Sequence, residues 1–118
     1  MKVVESDDVT SIPLFNEVTG KIPFTSDRVM FLLVEIPPRE EVPMHSHPHE
    51  QMGICLKGRA EFISDDEKKI VEEGAFYWIK PEENHSVVSL TDEKSIFLDV
   101  FNPPREDYIQ MLNELKQT

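Results

Sequence analysis

The chain has 118 residues, of which 39% are hydrophobic and 30% are charged, and its formal net charge is −11 at pH 7. This length is that of one compact domain whose core needs no disulfide. The acidic excess repels phosphate backbones and anionic membrane surfaces, which argues against nucleic acid and membranes as partners, whereas a small anionic ligand stays compatible because a buried cation can dominate its own pocket.

We expect neither an export signal nor a membrane anchor. The first ten residues, "MKVVESDDVT", hold three acids and no apolar core. The longest apolar run, "VMFLLV", is too short to span a bilayer. The single cysteine, Cys55, has apolar neighbours and no intramolecular partner, which predicts a buried thiol and a reducing compartment. We therefore expect a cytoplasmic protein.

The middle of the chain has the pattern of short strands separated by turns. The first 25 residues contain Pro13 and Pro23, so we expect an extended lead-in that could include an edge strand. From about residue 26 to residue 101, apolar runs alternate with turn signals such as "KGR". Strands at roughly ten-residue spacing predict an all-β sandwich or barrel. The predicted strands are 28–36, 51–56, 60–64, 68–73, 75–79, 85–90 and 95–101.

The end of the chain changes from the period of a strand to that of a helix. Asn102 is followed by two prolines, which is typical of a helix start, and acids occupy the first turn. The sequence therefore predicts a short helix over about 103–116, at the end of a single domain of residues 1–118. Its predicted packing face consists of Tyr108, Met111, Leu112 and Leu115.

Three of the four histidines lie in the stretch "HSHPHEQ", residues 45–51. Side chains two apart on a strand point to the same face, so His45 and His47 could both face a barrel interior. His85 opens a later strand and could complete a metal site, since imidazole is the commonest ligand for Zn, Ni, Fe and Cu. The competing interpretation is a set of ordinary surface histidines.

Spacing alone does not assign the roles of the other polar residues of this stretch. Gln51 and Glu50 are rival fourth ligands, and a carboxylate usually binds metal better than an amide. Spacing does not decide between them. His49 follows Pro48, and we assign it to the rim of the site or to the residues that support the ligands, rather than to the ligands themselves.

Two segments of the chain resemble the motifs of the cupin family. "HSHPHEQMGICLKG", residues 45–58, is similar to the first motif, and "GAFYWIKPEENH", residues 74–85, is similar to the second. The resemblance implies a small antiparallel β-barrel, or jelly roll, around a divalent transition metal (Ni, Zn, Co, Mn or Fe). It also implies that the ligands are His45, His47, Gln51 and His85.

The two motifs depart from the family pattern at their turns. Arg39 stands where the first motif usually opens with glycine. In the second motif, Lys80 and Glu82 replace the usual proline and glycine, and Pro81 is displaced by one position. These changes affect turn geometry more than metal binding, so we keep the fold prediction.

The C-terminal stretch "LDVFNPPREDYI", residues 98–109, is similar to that of small cupins which act in pectin and alginate breakdown. Those proteins open a 4,5-unsaturated monouronate ring to a linear keto sugar acid. The resemblance implies that Asp99 transfers a proton, that Arg105 binds the substrate carboxylate and that Phe101 lines the pocket. A fourth ligand that is neutral would leave the metal its full positive charge, which favours an anionic substrate. The family also leads us to expect a homodimer.

Structural roles remain open for the same three residues. Arg105 could pair with Glu106 or Asp107, Asp99 could cap a turn, and Phe101 could belong to the core. Two other functions also stay open for the whole protein. One is a metal-dependent dioxygenase, which a neutral Gln51 makes less attractive because a carboxylate helps to stabilise oxidised iron. The other is a barrel that binds a small acid without catalysis.

Overall fold

The strands form two antiparallel sheets that share one hydrophobic core. This is seen in the computed structural model, which describes residues 1–117; Thr118, the last residue of the predicted domain, lies outside them. Both sheets and a single C-terminal helix agree with the predicted all-β jelly roll. The elements are β1 (Ser11–Phe15), β2 (Val18–Lys21), β3 (Met30–Ile36), β4 (Glu41–His45), β5 (Glu50–Lys57), β6 (Arg59–Ile63), β7 (Lys68–Glu72), β8 (Phe76–Ile79), β9 (His85–Ser89), β10 (Ser95–Asn102) and α1 (Glu106–Lys116).

The larger sheet has the strand order β1-β2-β3-β10-β5-β8, and the smaller one has the order β4-β9-β6-β7. Alternation of side chains decides which residues enter the space between them. On β10, every second residue is buried: Ser95, Phe97, Asp99 and Phe101. Two polar residues of this strand, Ser95 and Asp99, are therefore buried, and Asp99 is only 6% exposed.

The lead-in is more regular than its sequence indicates. Residues 11–21 form the hairpin β1–β2, and β2 pairs with β3 at the edge of the larger sheet. The strand β4 was also absent from the predicted set, because "EVPMH" carries a proline and little apolar pattern. The prediction that His45 and His47 share a strand is wrong: β4 ends at His45, and His47 lies in the turn that follows.

The helix α1 begins at Glu106, three residues later than the predicted 103, because Pro103 and Pro104 lie in the connection before it. Tyr108 is buried, and Met111 and Leu112 pack against the core, as predicted. Leu115 is 40% exposed, so the packing face is shorter than predicted. Among the described residues no helix has the length and apolar character needed to cross a membrane.

Cys55 and Gly58 mark the tight connection between β5 and β6. Cys55 is fully buried, as predicted, and burial raises the pKa of its thiol. Gly58 has φ +92°, and a Cβ on it would lie 2.3 Å from the hydroxyl oxygen of Ser95. Only glycine suits this position, for both its backbone angle and the space around it.

The two departures from the family turns fall on strained backbone. Arg39 has φ 64° and Glu82 has φ 68°, the left-handed region that glycine adopts at little cost. The side chain of Arg39 donates to the carbonyl of Leu90 and to Asp92, which holds its turn. The backbone N–H of Glu82 donates to the carbonyl of His47 at 2.8 Å. The turns therefore keep the geometry of glycine without having glycine.

Candidate metal centre

Three histidines meet at the end of β4 and the start of β9. His45 and His85 are partners in the register of these two strands, and their ring centroids are 4.3 Å apart. The ring of His47 lies 5.0 Å from that of His85 and 5.6 Å from that of His45. One nitrogen of each ring lies within 4.8 Å of the others, close enough to share one metal ion.

Backbone carbonyls determine which nitrogen of each ring is free. The Nδ1 atoms of His45, His47 and His85 lie 2.7, 3.1 and 2.8 Å from the carbonyl oxygens of Pro43, His49 and Glu83. A carbonyl oxygen only accepts, so each Nδ1 carries the proton and donates it. Each Nε2 then keeps a lone pair, which is the form that binds a metal.

Gln51 completes the set from β5. Its amide nitrogen donates to the carboxylate of Asp99, which orients the amide. Its Oε1 therefore faces His47 and lies 3.1 Å from Nε2 of that ring. Both atoms are acceptors at this distance, and a cation bound by both would turn their repulsion into attraction. The donor set thus fits a divalent transition metal.

The rival ligand Glu50 lies on the opposite face of β5. Its Oε2 accepts a hydrogen bond from the indole nitrogen of Trp78 at 3.0 Å, on the outer surface of the sheet. Alternation along the strand places Gln51 inside and Glu50 outside, and Gln51 is only 7% exposed. The structure therefore brings Gln51, and not Glu50, to the histidines.

Burial keeps the three clustered histidines neutral. It lowers the pKa of His45 and His85, and it lowers that of His47 to about 4, with further lowering from the charges of Arg105 and the other two rings. Near neutral pH these rings are therefore in the uncharged form that donates a lone pair. With Gln51 also neutral, none of the four groups would cancel the charge of a metal.

Asp99 lies beside this cluster on the inner face of β10. The hydroxyl of Tyr77 donates to its Oδ1 at 2.5 Å, and the amide of Gln51 donates to the same carboxylate. Burial raises the pKa of Asp99 to about 6, against the lowering by these hydrogen bonds and by the charge of Arg105. A buried carboxyl with such a pKa can take and return a proton near neutral pH.

The guanidinium of Arg105 lies over two aromatic rings at the junction of β10 and α1. Its guanidinium carbon lies 4.1 Å from the ring centroid of Tyr108 and 5.1 Å from that of Phe101. Its Nε and Nη2 donate to the two oxygens of Asp107 at 3.0 and 2.9 Å. The predicted pairing with Asp107 is therefore present, and it holds the guanidinium by one edge while Arg105 stays only 6% exposed.

Most of the predicted site residues line one cavity between the two sheets, and His47 is not among its lining residues. Leu14, Phe15, Leu32, Val34 and Phe62 supply part of its apolar wall. Polar groups and further aromatic rings line the same cavity. These lining residues are His45, Gln51, Tyr77, His85, Asp99, Phe101, Arg105 and Tyr108.

Sequence reasoning missed Tyr77, and it assigned Tyr108 to the packing face of the helix without predicting that it lines the cavity. The period of β8 places Tyr77 on the same face as the buried Ile79, opposite Gly53, and that signal could have identified it. His49 was assigned to the rim or to the support of the ligands. It lies outside the ligand cluster, its carbonyl oxygen accepts from Nδ1 of His47, and its Nε2 lies 3.3 Å from Oε2 of Glu106. Its ring is buried, and its Nδ1 has no hydrogen-bond partner among the described residues.

The comparison with known families agrees with this geometry. The cupin domain matches residues 32–101, more than half of the chain and a range that includes all four candidate ligands. The chain belongs to the cupin family. The resemblance of the two motifs is thereby confirmed.

Two curated proteins and a solved structure are similar to this cupin. The pectin degradation protein KdgF of Dickeya dadantii (strain 3937) is 33% identical over 93 residues, which cover 78% of this chain and 84% of that protein. The H2HPP isomerase of Bacillus subtilis is 32% identical over 83 residues, which cover 70% of this chain but only 35% of that protein. The structure of KdgF from Halomonas sp. superposes with a TM-score of 0.82 at 23% identity, over 88% of this chain and 96% of that one, and it supports the fold alone.

Proposed function

We propose that this cupin opens the ring of a 4,5-unsaturated monouronate to give a linear keto sugar acid. The main observation is that Asp99 and Arg105 line the same cavity as His45 and His85, two of the three clustered histidines. The relationship to the pectin degradation protein KdgF supports the substrate class. The name of the other relative, an isomerase, supports a reaction that only moves protons and bonds within one molecule.

The proposed metal ligands are His45, His47, Gln51 and His85. A bound divalent metal would supply a positive charge that stabilises negative charge on substrate oxygens. Because the four ligands are neutral, they would leave this charge undiminished for an anionic substrate. Imidazole-rich sites accept Ni, Zn, Co, Mn or Fe, so the donor set supports a transition metal without naming one.

Arg105 is proposed to bind the substrate carboxylate. Asp107 holds the Nε and Nη2 edge of the guanidinium, so the edge formed by Nη1 and Nη2 would receive the carboxylate. The rings of Phe101 and Tyr108 both contact the guanidinium and limit its movement. An arginine that is buried and held in this way loses little further freedom when a carboxylate binds.

Asp99 is proposed to carry the proton. In ring opening, a base removes the proton of the hemiacetal hydroxyl at C1, and the bond between C1 and the ring oxygen breaks. The C1 oxygen becomes an aldehyde, while the electrons of the broken bond pass to the ring oxygen and give an enolate at C5. The proton then returns to C4, which leaves a ketone at C5. One carboxyl that takes and returns the same proton balances the reaction.

To test this proposal, ring opening of 4,5-unsaturated galacturonate by the metal-loaded protein is followed by NMR. A sample without protein corrects for spontaneous opening. We expect the protein to accelerate ring opening, and a chelator should remove this acceleration. The rate should fall by about 10²-fold or more in Asp99→Asn. In Arg105→Lys the KM for the substrate should rise. A rate equal to the control would overturn the proposal for this substrate. Oxygen uptake with ferrous iron would then indicate a dioxygenase, and ligand affinity kept by Asp99→Asn without any turnover would indicate a binding protein.

We also propose that residues 1–118 act as one cytoplasmic domain that forms a homodimer. Eight apolar side chains on the outer side of the larger sheet support the dimer. Register places them in two rows across β3, β10, β5 and β8, and we refer to them as the outer apolar face. The rows are Phe31, Val100, Met52 and Trp78, and Leu33, Leu98, Ile54 and Phe76.

A second copy of the chain is the occupant that the outer apolar face fits. The two rows carry no charge although the chain carries −11, so two copies can meet there without burying acids. The rim holds both signs, with Glu50 bonded to Trp78 and the ammonium of Lys80 5.5 Å from the centroid of the same ring. Across a two-fold axis, the acid of one copy can face the base of the other. An exposed patch of this kind is typical of a protein interface.

A further inference from the structure

Tyr77, Gly53 and Asp99 lie in one row across three neighbouring strands. Gly53 on β5 is the register partner of Tyr77 on β8 and of Asp99 on β10. The side chain of Tyr77 crosses the middle strand, and its hydroxyl reaches Oδ1 of Asp99. Residues in alternate strands of a sheet are usually separated by the side chain of the strand between them.

The missing side chain of Gly53 makes this contact possible. A Cβ on Gly53 would lie 2.4 Å from the hydroxyl oxygen of Tyr77 and 2.6 Å from the carbonyl oxygen of Leu98. Atoms do not approach so closely, so any larger residue would displace the tyrosine. Gly53 lies within a strand and has no positive φ, so its backbone conformation does not require glycine. Room for the phenol of Tyr77 explains a residue that otherwise weakens a strand.

Aromatic packing holds the ring of Tyr77 in this position. Its centroid lies 4.6 Å from that of Phe62 and 6.3 Å from that of Phe97. Burial and the neighbouring carboxylate raise the pKa of Tyr77 well above 10, so the hydroxyl keeps its proton and acts as a donor. The hydrogen bond to Asp99 therefore has a fixed direction as well as a fixed position.

We propose that Tyr77 is a positioning residue for Asp99, and that Gly53 is the residue which admits it. The inference rests on the proposed ring opening, and it adds two residues that no sequence motif assigns. The hydroxyl of Tyr77 holds the carboxyl of Asp99 in one orientation toward the cavity. A proton carrier must keep its distance and angle to the substrate, and a displacement of about 1 Å can cost about 10²-fold in rate.

The test compares wild type with Tyr77→Phe, which keeps the ring and removes the hydroxyl. Ring opening of 4,5-unsaturated galacturonate by metal-loaded protein is followed by NMR. We expect kcat to fall about 10-fold to 10²-fold, while KM and the bound metal stay within about twofold, because the substrate and metal contacts are unchanged. Val71→Ala, a core change on β7, serves as the control for lost stability and should keep kcat.

A second comparison separates positioning from general structural damage. In the Asp99→Asn background, Tyr77→Phe should have no further effect on kcat, because the hydroxyl acts only through that carboxyl. If Tyr77→Phe lowers kcat by the same factor in wild type and in the Asp99→Asn background, the inference is overturned. If Tyr77→Phe is as active as wild type, the inference about Tyr77 is overturned, whereas the ring-opening proposal is unaffected. No acceleration by wild type would overturn both.

Discussion

The Nε2 atom of His47 faces the Oε1 atom of Gln51 at 3.1 Å, and both atoms are hydrogen-bond acceptors. The proton of the ring lies on Nδ1, which donates to the carbonyl of His49. The amide is held the other way because its nitrogen donates to Asp99. Neighbouring contacts thus hold two lone pairs against each other, and a cation relieves this arrangement.

The first prediction is that a divalent transition metal stabilises the folded protein. Free metal at about 100 times its Kd should add about 2.7 kcal/mol to the free energy of unfolding. Differential scanning calorimetry with added Ni or Zn should therefore show a higher Tm, which excess chelator lowers again. His47→Ala should bind less metal, whereas His49→Ala, changed in the same stretch but outside the cluster, should keep one metal per chain. An equal loss in both variants would contradict the assigned ligands.

The second prediction concerns the neutral amide of Gln51. Gln51→Glu adds a negative charge to the donor set, so the variant should retain metal at least as well as wild type. The same charge reduces the field that acts on an anionic substrate, and it places a second carboxylate next to Asp99. We expect kcat for ring opening to fall at least about 10-fold, with metal content unchanged by elemental analysis. Unchanged turnover would show that the ligand charge does not matter for the reaction.

Much of the candidate centre could be predicted from the chain because its spacing matches the register of the strands. His45 ends one strand and His85 begins its partner, so the motifs already specify their proximity. Gln51 and Asp99 follow from the alternation of β5 and β10, which are both buried on one face. Regular strands transmit such information well, since their period of two is fixed.

Other features depend on contacts between strands, and the chain alone does not display them. The role of Tyr77 depends on Gly53 lying between it and Asp99, which only the order of β8, β5 and β10 reveals. His47 reaches the centre from a turn rather than from the strand that spacing predicts. Turn geometry of this kind depends on partners such as the N–H of Glu82, which lies far away along the chain.

The third prediction follows from the strained turn at Glu82. A residue other than glycine in the left-handed region costs about 1 kcal/mol or more, and glycine returns part of that through the entropy of the unfolded chain. Glu82→Gly should therefore stabilise the protein by about 0.5 kcal/mol and keep the N–H bond to His47. Chemical denaturation measures this change. Glu93→Gly, at an exposed turn residue without positive φ, should instead destabilise the fold, and the same sign in both variants would contradict the strain at Glu82.

The fourth prediction concerns the outer apolar face. Met52 lies within it and is 47% exposed, so a lysine there should fold normally but place a charge in the proposed interface. Light scattering after size exclusion should give twice the monomer mass for wild type and the monomer mass for Met52→Lys. Met44→Lys is the matched control, since Met44 is the same residue type, is 50% exposed and lies on β4, an edge strand of the smaller sheet, outside this face. That variant should remain a dimer, and a wild-type monomer would show that the face does not bind a second copy.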